Sequence, residues 1–225
     1  MILTSPDGRF RVVNSLPEMA EQLDAIQRAS FPTLASQEWI TAAHYRSHIE
    51  KFPEGQFAVL DERDRAVGCS TDFRTREGSF WSFEKPNHTY MQAVGNNWLT
   101  QHDPQGDWLY GADIGVLPDY RSQGLGKLLY QARHALIRKM NLKGHIAGGM
   151  PKGFYKYQGQ MDIETYIGKV VAGELFDPVL SVQLKRGFVA HSIMPEYLDD
   201  PSCGRYGVLI VWKNPEYTPS QPSPF

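Results

Sequence analysis

Apolar residues recur along this chain with two periods, and the alternation between them predicts its elements. Short strand-like runs occur at 9–14, at Gln56–Leu60, at Ala66–Phe73 and at Trp108–Val116. Others lie at His145–Gly149, from Gly187-Phe188-Val189 onward, and at Arg205–Trp212. The charged segment Asp61–Arg65 separates two of these runs and predicts a hairpin turn. Helical spacing places Leu23, Ile26 and Ala29 on one face, behind a start signal in which Ser15 can cap and Pro17 suits the first turn. Trp39, Ile40, Ala43 and Ile49 predict a second helix over 36–52, closed by Pro53-Glu54-Gly55. Leu125, Leu128, Leu129, Ala132, Ala135, Leu136 and Met140 predict a third, with Arg133, Arg138 and Lys139 off its apolar face. Further helices are expected around 162–172 and over 179–185, the latter capped by Asp177. The resulting order is β, α, α, β, β, insertion, β, α, β, insertion, α, β, β. The insertions cover about 76–106, where a helix near 88–99 is interrupted by Gly95-Asn96-Asn97, and 151–177.

Between the strand Trp108–Val116 and its following helix lies Arg121-Ser122-Gln123-Gly124-Leu125-Gly126-Lys127. A glycine loop entering a helix N-terminus makes an anion site. The first helical N–H groups have no intrahelical partner, and the helix dipole adds positive potential. Gly124 and Gly126 allow close backbone approach, and Arg121 and Lys127 add charge. A P-loop is excluded because Leu128, not Ser or Thr, follows Lys127. A dinucleotide fingerprint is excluded because its third glycine position holds Leu129.

Arg121-x-x-Gly124-x-Gly126, preceded by Val116-x-Pro118-x-Tyr120, resembles the acyl-CoA pyrophosphate loop of the GCN5-related N-acetyltransferases (GNAT). The element order matches that fold over about 9–213. The segments Tyr45–Phe57, Trp108–Val116 and Asp177–Phe188 resemble a bacterial subgroup in which some members carry a carbon–nitrogen hydrolase domain. This chain then reads as the stand-alone form. The resemblance implies an α/β (α+β) acyl-CoA N-acyltransferase fold. Its mixed, mostly antiparallel central sheet is flanked by helices and splayed between the fourth and fifth strands, here Trp108–Val116 and His145–Gly149. A single domain is expected over 1–213, with a Pro/Ser-rich, disordered tail over 214–225.

The same resemblance implies acetyl-CoA as acetyl donor, with pantetheine along Ile114-Gly115-Val116 and pyrophosphate on Arg121, Ser122, Gln123, Gly124, Leu125, Gly126 and Lys127. An amine of a small molecule or peptide attacks the thioester directly. Asp113, a carboxylate within an apolar strand, is the candidate base; a hydrogen-bonded structural carboxylate is the other reading. Glu84 and Glu174 are surface alternatives. The tyrosine that many members use as acid, four residues before the Gly187-Phe188 pair, is replaced by Gln183. Ser181, Tyr155 and Tyr157 are the nearby hydroxyls, and Ser181 and Tyr155 join Asp113 as catalytic candidates. The rival reading is a catalytically silent CoA-binding sensor or regulatory module, which the Gln183 departure favours.

Composition narrows the rest. With 225 residues, 41% hydrophobic content and a formal net charge of −2, the chain makes no electrostatic bid for nucleic acid or a membrane. It has no signal-peptide pattern and no transmembrane run. Cys69 and Cys203 are expected as free thiols in a cytoplasmic protein, with Cys69 in the core. His44 and His48 have i, i+4 spacing without an evident third ligand, so they read as a surface helix and no metal is expected. A homodimer through the last strands is compatible with the fold. The aromatic residues of both insertions could line an acceptor pocket or pin long loops, and 151–177 is expected to act as a mobile lid.

Overall fold

Strand periodicity and two-sided burial make one sheet of eight strands in the computed structural model, which describes residues 3–219. The strands are β1 (Leu3–Thr4), β2 (Arg11–Asn14), β3 (Gln56–Leu60), β4 (Ala66–Thr75), β5 (Trp108–Val116), β6 (Gly144–Gly149), β7 (Val189–Met194) and β8 (Gly207–Lys213). Their order is β1-β2-β3-β4-β5-β6-β8-β7. Only β5 and β6 run parallel. The helices are α1 (Ala20–Ser30), α2 (Ala42–Lys51), the single turn α3 (Tyr90–Ala93), α4 (Leu125–Lys139), α5 (Ile163–Ala172) and α6 (Leu180–Leu184). No helix among the described residues is long and apolar enough to cross a membrane.

Alternation along β3 decides which helix covers which face. Phe57 and Val59 pack with Leu109 against Leu125, Leu129 and Leu136 of α4. Ala58 and Leu60 pack with Cys69 against Leu23 and Ile26 of α1 and Tyr45 and Ile49 of α2. The expected splay is present. β5 pairs with β6 from Trp108↔Gly144 to Gly111↔Ala147 and no further. Beyond that point β6 stays paired with β8 through Gly149, and β5 with β4 through Val116. The divergence begins at a bulge: Asp72 faces Gly111 and Thr71 faces Asp113, leaving Ala112 as the extra residue on β5.

Several expectations change. Arg133 is not off the apolar face of α4 but buried, with its Nε 2.9 Å from Asp72 Oδ1. Its Nη2 donates to the Thr71 carbonyl at 3.3 Å and to the Asp113 carbonyl. Position 111 must be glycine because a Cβ there would meet His145 Nε2 at 2.6 Å and Arg133 Nη1 at 3.3 Å. Helix α2 starts at Ala42 rather than 36, because Thr41 and His44 form a reciprocal capping box. His48 is buried, its Nε2 2.6 Å from the Asn97 carbonyl, so these histidines are not a surface pair. Ser15 caps nothing; its N–H pairs with Gln56, and the first helix opens through a 3-10 turn at Pro17–Met19. The segment 215–219 is ordered by Asn141, whose Nδ2 donates to Thr218 O at 2.7 Å and whose Oδ1 accepts from Thr218 N at 3.0 Å. The rest of the expected tail, 220–225, lies outside the described residues.

The 151–177 insertion is a packed element rather than a loose lid. Asp162 caps α5, and Phe154, Ile163, Tyr166 and Val170 are buried with Leu180 and Val208. Asp177 Oδ2 accepts from Tyr166 OH and Gly153 N, both at 2.8 Å. Its Oδ1 accepts from Val179 N and Leu180 N, so it does cap the entry to α6. In 76–106 most aromatics form a cluster under the loop: Trp81 is edge-on to Trp108, and Phe80 to Tyr110.

Removing one partner of a buried ion pair strands the other charge. We expect Arg133→Met to cost about 3–5 kcal/mol in urea unfolding, because the buried Asp72 carboxyl loses its counter-ion. The double variant Arg133→Met/Asp72→Leu should recover most of that loss. Equal destabilisation of the single and double variants would show that the pair does not hold this region.

Candidate active site

The loop after β5 curves into a cradle at the N-terminus of α4 for reasons local to the sequence. Pro118–Tyr120 makes a 3-10 turn, Ser122 takes φ +62, and Gly124 takes φ +82 as the N-cap of α4. A residue with a side chain is strained at such a φ. The first ladder bond of α4 runs from Leu128 N to Gly124 O at 3.2 Å, so the preceding N–H groups lie ahead of the ladder. A Cβ built on Gly124 or Gly126 meets no atom within 4 Å. The protein's own packing therefore does not demand glycine at 126; the open space lies at the mouth of the cradle.

Arg121 donates through Nε to Val116 O at 3.2 Å, which ties the loop to the end of β5. Gln123 and Lys127 are exposed, and Leu125 is buried as the first apolar anchor of α4. A cleft of about 810 Å³ opens beside the cradle, between the C-terminal half of β5 and the segment after β6. Ile114, Gly115 and Val116 form one wall, with Phe31 and Thr33 above them. Lys152, Tyr155 and Pro178 form the other. Its charged lining residues are Arg121, Lys152 and Lys156, with no carboxylate among the described ones. The edge of β5 facing this cleft has lost its β6 partner; Arg121 Nε and Ser30 Oγ bond the Val116 carbonyl there, and the other edge groups are without a strand partner.

A smaller pocket of about 40 Å³ continues inward, with Phe31 lining both. Asp113 lines this inner pocket and is buried. Tyr45 OH donates to its Oδ2 at 3.0 Å. Burial pushes the Asp113 carboxyl up to about 6, partly offset by the Tyr45 hydrogen bond and by Arg133. Cys69 is a core thiol 3.9 Å from the same oxygen, and burial pushes it well up.

The two candidate hydroxyls sit differently. Tyr155 is exposed and lines the cleft. Ser181 Oγ accepts the Asp177 N–H at 2.9 Å and lines neither pocket, so its place is a local turn. Gln183 is buried and donates to Tyr130 OH at 3.3 Å. Glu174 pairs with Lys169 on the surface. Gln27 and Tyr197, which line the inner pocket beside Asp113, carry no local signal. Gln27 reads as one more residue of an amphipathic helix, and Tyr197 falls in the β7–β8 connection. Among the described residues, no group of three or more His, Cys, Asp or Glu could hold a metal ion.

Residues 20–148 match the acetyltransferase (GNAT) family. The chain belongs to this family. It is accordingly an enzyme of the N-acetyltransferase class, and the family's general chemistry is acyl transfer from coenzyme A. Uncharacterized N-acetyltransferase YkwB of Bacillus subtilis (strain 168) is 34% identical over 198 residues, which are 88% of this chain and 85% of that protein. Probable hydrolase YhcX of the same organism is 36% identical over 220 residues, 97% of this chain. The GNAT chain spans only 41% of that relative's length, in keeping with relatives that join this domain to a hydrolase. Among solved structures, the GphF GNAT-like decarboxylase in complex with isobutyryl-CoA superimposes with a TM-score of 0.75 at 19% identity. The match covers 91% of this chain and 99% of that one, a likeness of fold.

Because position 126 is open, Gly126→Glu should fold with an unchanged Tm. It should weaken CoA binding by more than tenfold in calorimetry, through bulk and negative charge at the cradle. Parent-like affinity would place the anion elsewhere.

Proposed function

We propose that this chain is an acetyl-CoA-dependent N-acetyltransferase acting in the cytoplasm on an amine of a small molecule or peptide. The observation that carries this reading is the adjacency of a cationic, carboxylate-free cleft to a pocket holding one buried carboxylate. Charge of one sign lines the cleft, which suits the phosphates of CoA. Opposite charge waits at the inner end, which suits an ammonium.

The unpaired β5 edge at Ile114–Val116 takes the amide groups of pantetheine, in the way a neighbouring strand would. The pyrophosphate lies on the free N–H groups of the loop from Ser122 to Lys127, with Arg121 alongside. This directs the thioester toward Phe31 and the inner pocket. A lysine-like amine has a pKa of about 10.4 and is almost wholly protonated at neutral pH. Asp113 accepts that proton, the nitrogen lone pair forms the C–N bond, and the C–S bond breaks. The thiolate then gains a proton, for which Tyr155 is the candidate hydroxyl lining the cleft. Release of free thiol from acetyl-CoA with a panel of amines tests the whole reading. A silent sensor would bind CoA and release none.

The pKa of Asp113 separates a catalytic role from a structural one. Its ordinary value is 3.8, and in the folded chain it is about 6. The folded state therefore holds the proton more tightly. The favourable contribution is present in full below the unfolded value and is lost as pH rises through about 6. At pH 7.5 the ionised, buried carboxylate costs the fold on the order of 3 kcal/mol. Asp113→Asn keeps an oxygen for Tyr45 and removes the charge. We expect its Tm at pH 7.5 to equal or exceed the parent's while kcat/KM drops about 100-fold. The parent's loss of activity below pH about 6 should vanish in the variant. A lower Tm with an intact acid limb would make Asp113 structural.

A further inference from the structure

The inner pocket presents hydrogen-bond acceptors, and three observations fix this. Asp113 is a carboxylate. Gln27 is buried at 1% exposure, and its Oε1 has no partner among the described residues. The third acceptor is Tyr197, whose direction is set by a chain of bonds behind it. His88 Nδ1 lies 2.8 Å from the Pro86 carbonyl, which can only accept, so Nδ1 carries the hydrogen. Burial pushes the His88 pKa down to about 4, so at neutral pH Nε2 has a lone pair. Tyr110 OH, 2.9 Å away, donates to it. With its one hydrogen used, the Tyr110 oxygen can only accept from Tyr197 OH, also at 2.9 Å. The Tyr197 hydrogen is thereby turned away from the pocket, and its oxygen, which also takes the Gly148 N–H, faces the pocket as an acceptor. Gly148 completes the arrangement, because a Cβ there would fall 2.2 Å from the Tyr197 hydroxyl.

Apolar groups, among them Phe31, Leu34 and Met150, make most of the remaining wall, and Tyr90 adds a hydroxyl that can donate or accept. The volume of about 40 Å³ admits little more than a methylene and a nitrogen. Resting on the transferase reading above, we infer that this pocket is the amine subsite, and that Gln27, Asp113 and Tyr197 together select the ammonium of an unbranched aminomethyl group. An –NH3+ has three donors and no acceptor, matching three acceptors. A carbon next to the nitrogen that bears a second substituent, as in an α-amino acid or peptide N-terminus, does not fit the narrow walls. The acceptor class is therefore a terminal –CH2–NH3+ group, as in an alkylamine, a polyamine or a lysine side chain.

The test uses the full chain saturated with CoA, with binding and turnover read separately. Propylamine, 1,4-diaminobutane and Nα-acetyl-lysine are compared with alanine amide and with a lysine-free peptide bearing a free N-terminus. Calorimetry on the CoA complex should show the aminomethyl compounds binding at least tenfold tighter than the α-amines. Gln27→Leu and Tyr197→Phe should each weaken that binding about tenfold, the loss of one hydrogen bond to a charge, while CoA affinity and Tm stay near the parent values. In turnover the same variants should raise the amine KM and leave the pH profile unmoved. Tight aminomethyl binding without thiol release would sink the transferase reading and keep the pocket assignment. Equal or better binding of α-amines would overturn the assignment whatever the turnover. So would amine affinities in both variants within twofold of the parent.

Discussion

The Arg133–Asp72 pair is the constraint on which the working part of this molecule hangs. One guanidinium, delivered from the middle of α4, holds the carboxylate of β4 and the carbonyls of Thr71 and Asp113. Those two residues face each other immediately beside the bulge. A guanidinium cannot shed its charge inside a protein, and its planar fork satisfies several acceptors in one geometry. The helix that begins at the cradle is thereby locked to the bulge at which β5 leaves β6. Cradle, open strand edge and inner carboxylate are set in one frame by a single side chain.

This frame also explains why Asp113 tolerates its position. Its backbone carbonyl is bound by Arg133 on one face of the sheet, while its side chain emerges on the α1–α2 face toward Tyr45. The charge that steadies the main chain is thus kept from forming a direct ion pair with the carboxylate. As at Asp72, burial is the larger influence on the Asp113 carboxyl, and it titrates close to neutral pH, where it can accept a proton.

Elements whose cause is local were legible in the sequence. Strand β5 has the predicted bounds, Trp108–Val116, because a run of apolar residues ends at Pro118. Helix α5 begins after Asp162 and stops at Gly173 in the left-handed region, both signals within its own segment. The turn into α4 was legible because its causes, Pro118, Gly124 and the apolar face from Leu125, lie close together in the sequence. Arg133 was misread because its partner Asp72 lies 61 residues upstream, and periodicity sees only that a charge interrupts an apolar face. Tyr197 and Gln27 converge on Asp113 from separate elements, and their meaning depends on a chain of hydrogen bonds that no local pattern encodes. Ser181 shows the reverse error: proximity in sequence to the Gly187-Phe188 pair did not bring its hydroxyl to the cleft.

The gap between β5 and β6 has a consequence for the protein's lifetime. Most sheets place their unpaired edges at the periphery, where solvent or charged side chains blunt them. Here an edge is opened within the sheet, between two strands that are each fully paired on their other side. An elongated ligand bound along Ile114–Val116 would act as the missing strand and would bind only the folded form. At a hundred times its dissociation constant, such a ligand adds about 2.7 kcal/mol to the unfolding free energy. Resistance to unfolding and to proteolysis would then rise and fall with the supply of that ligand, making turnover of the enzyme itself a readout of substrate abundance.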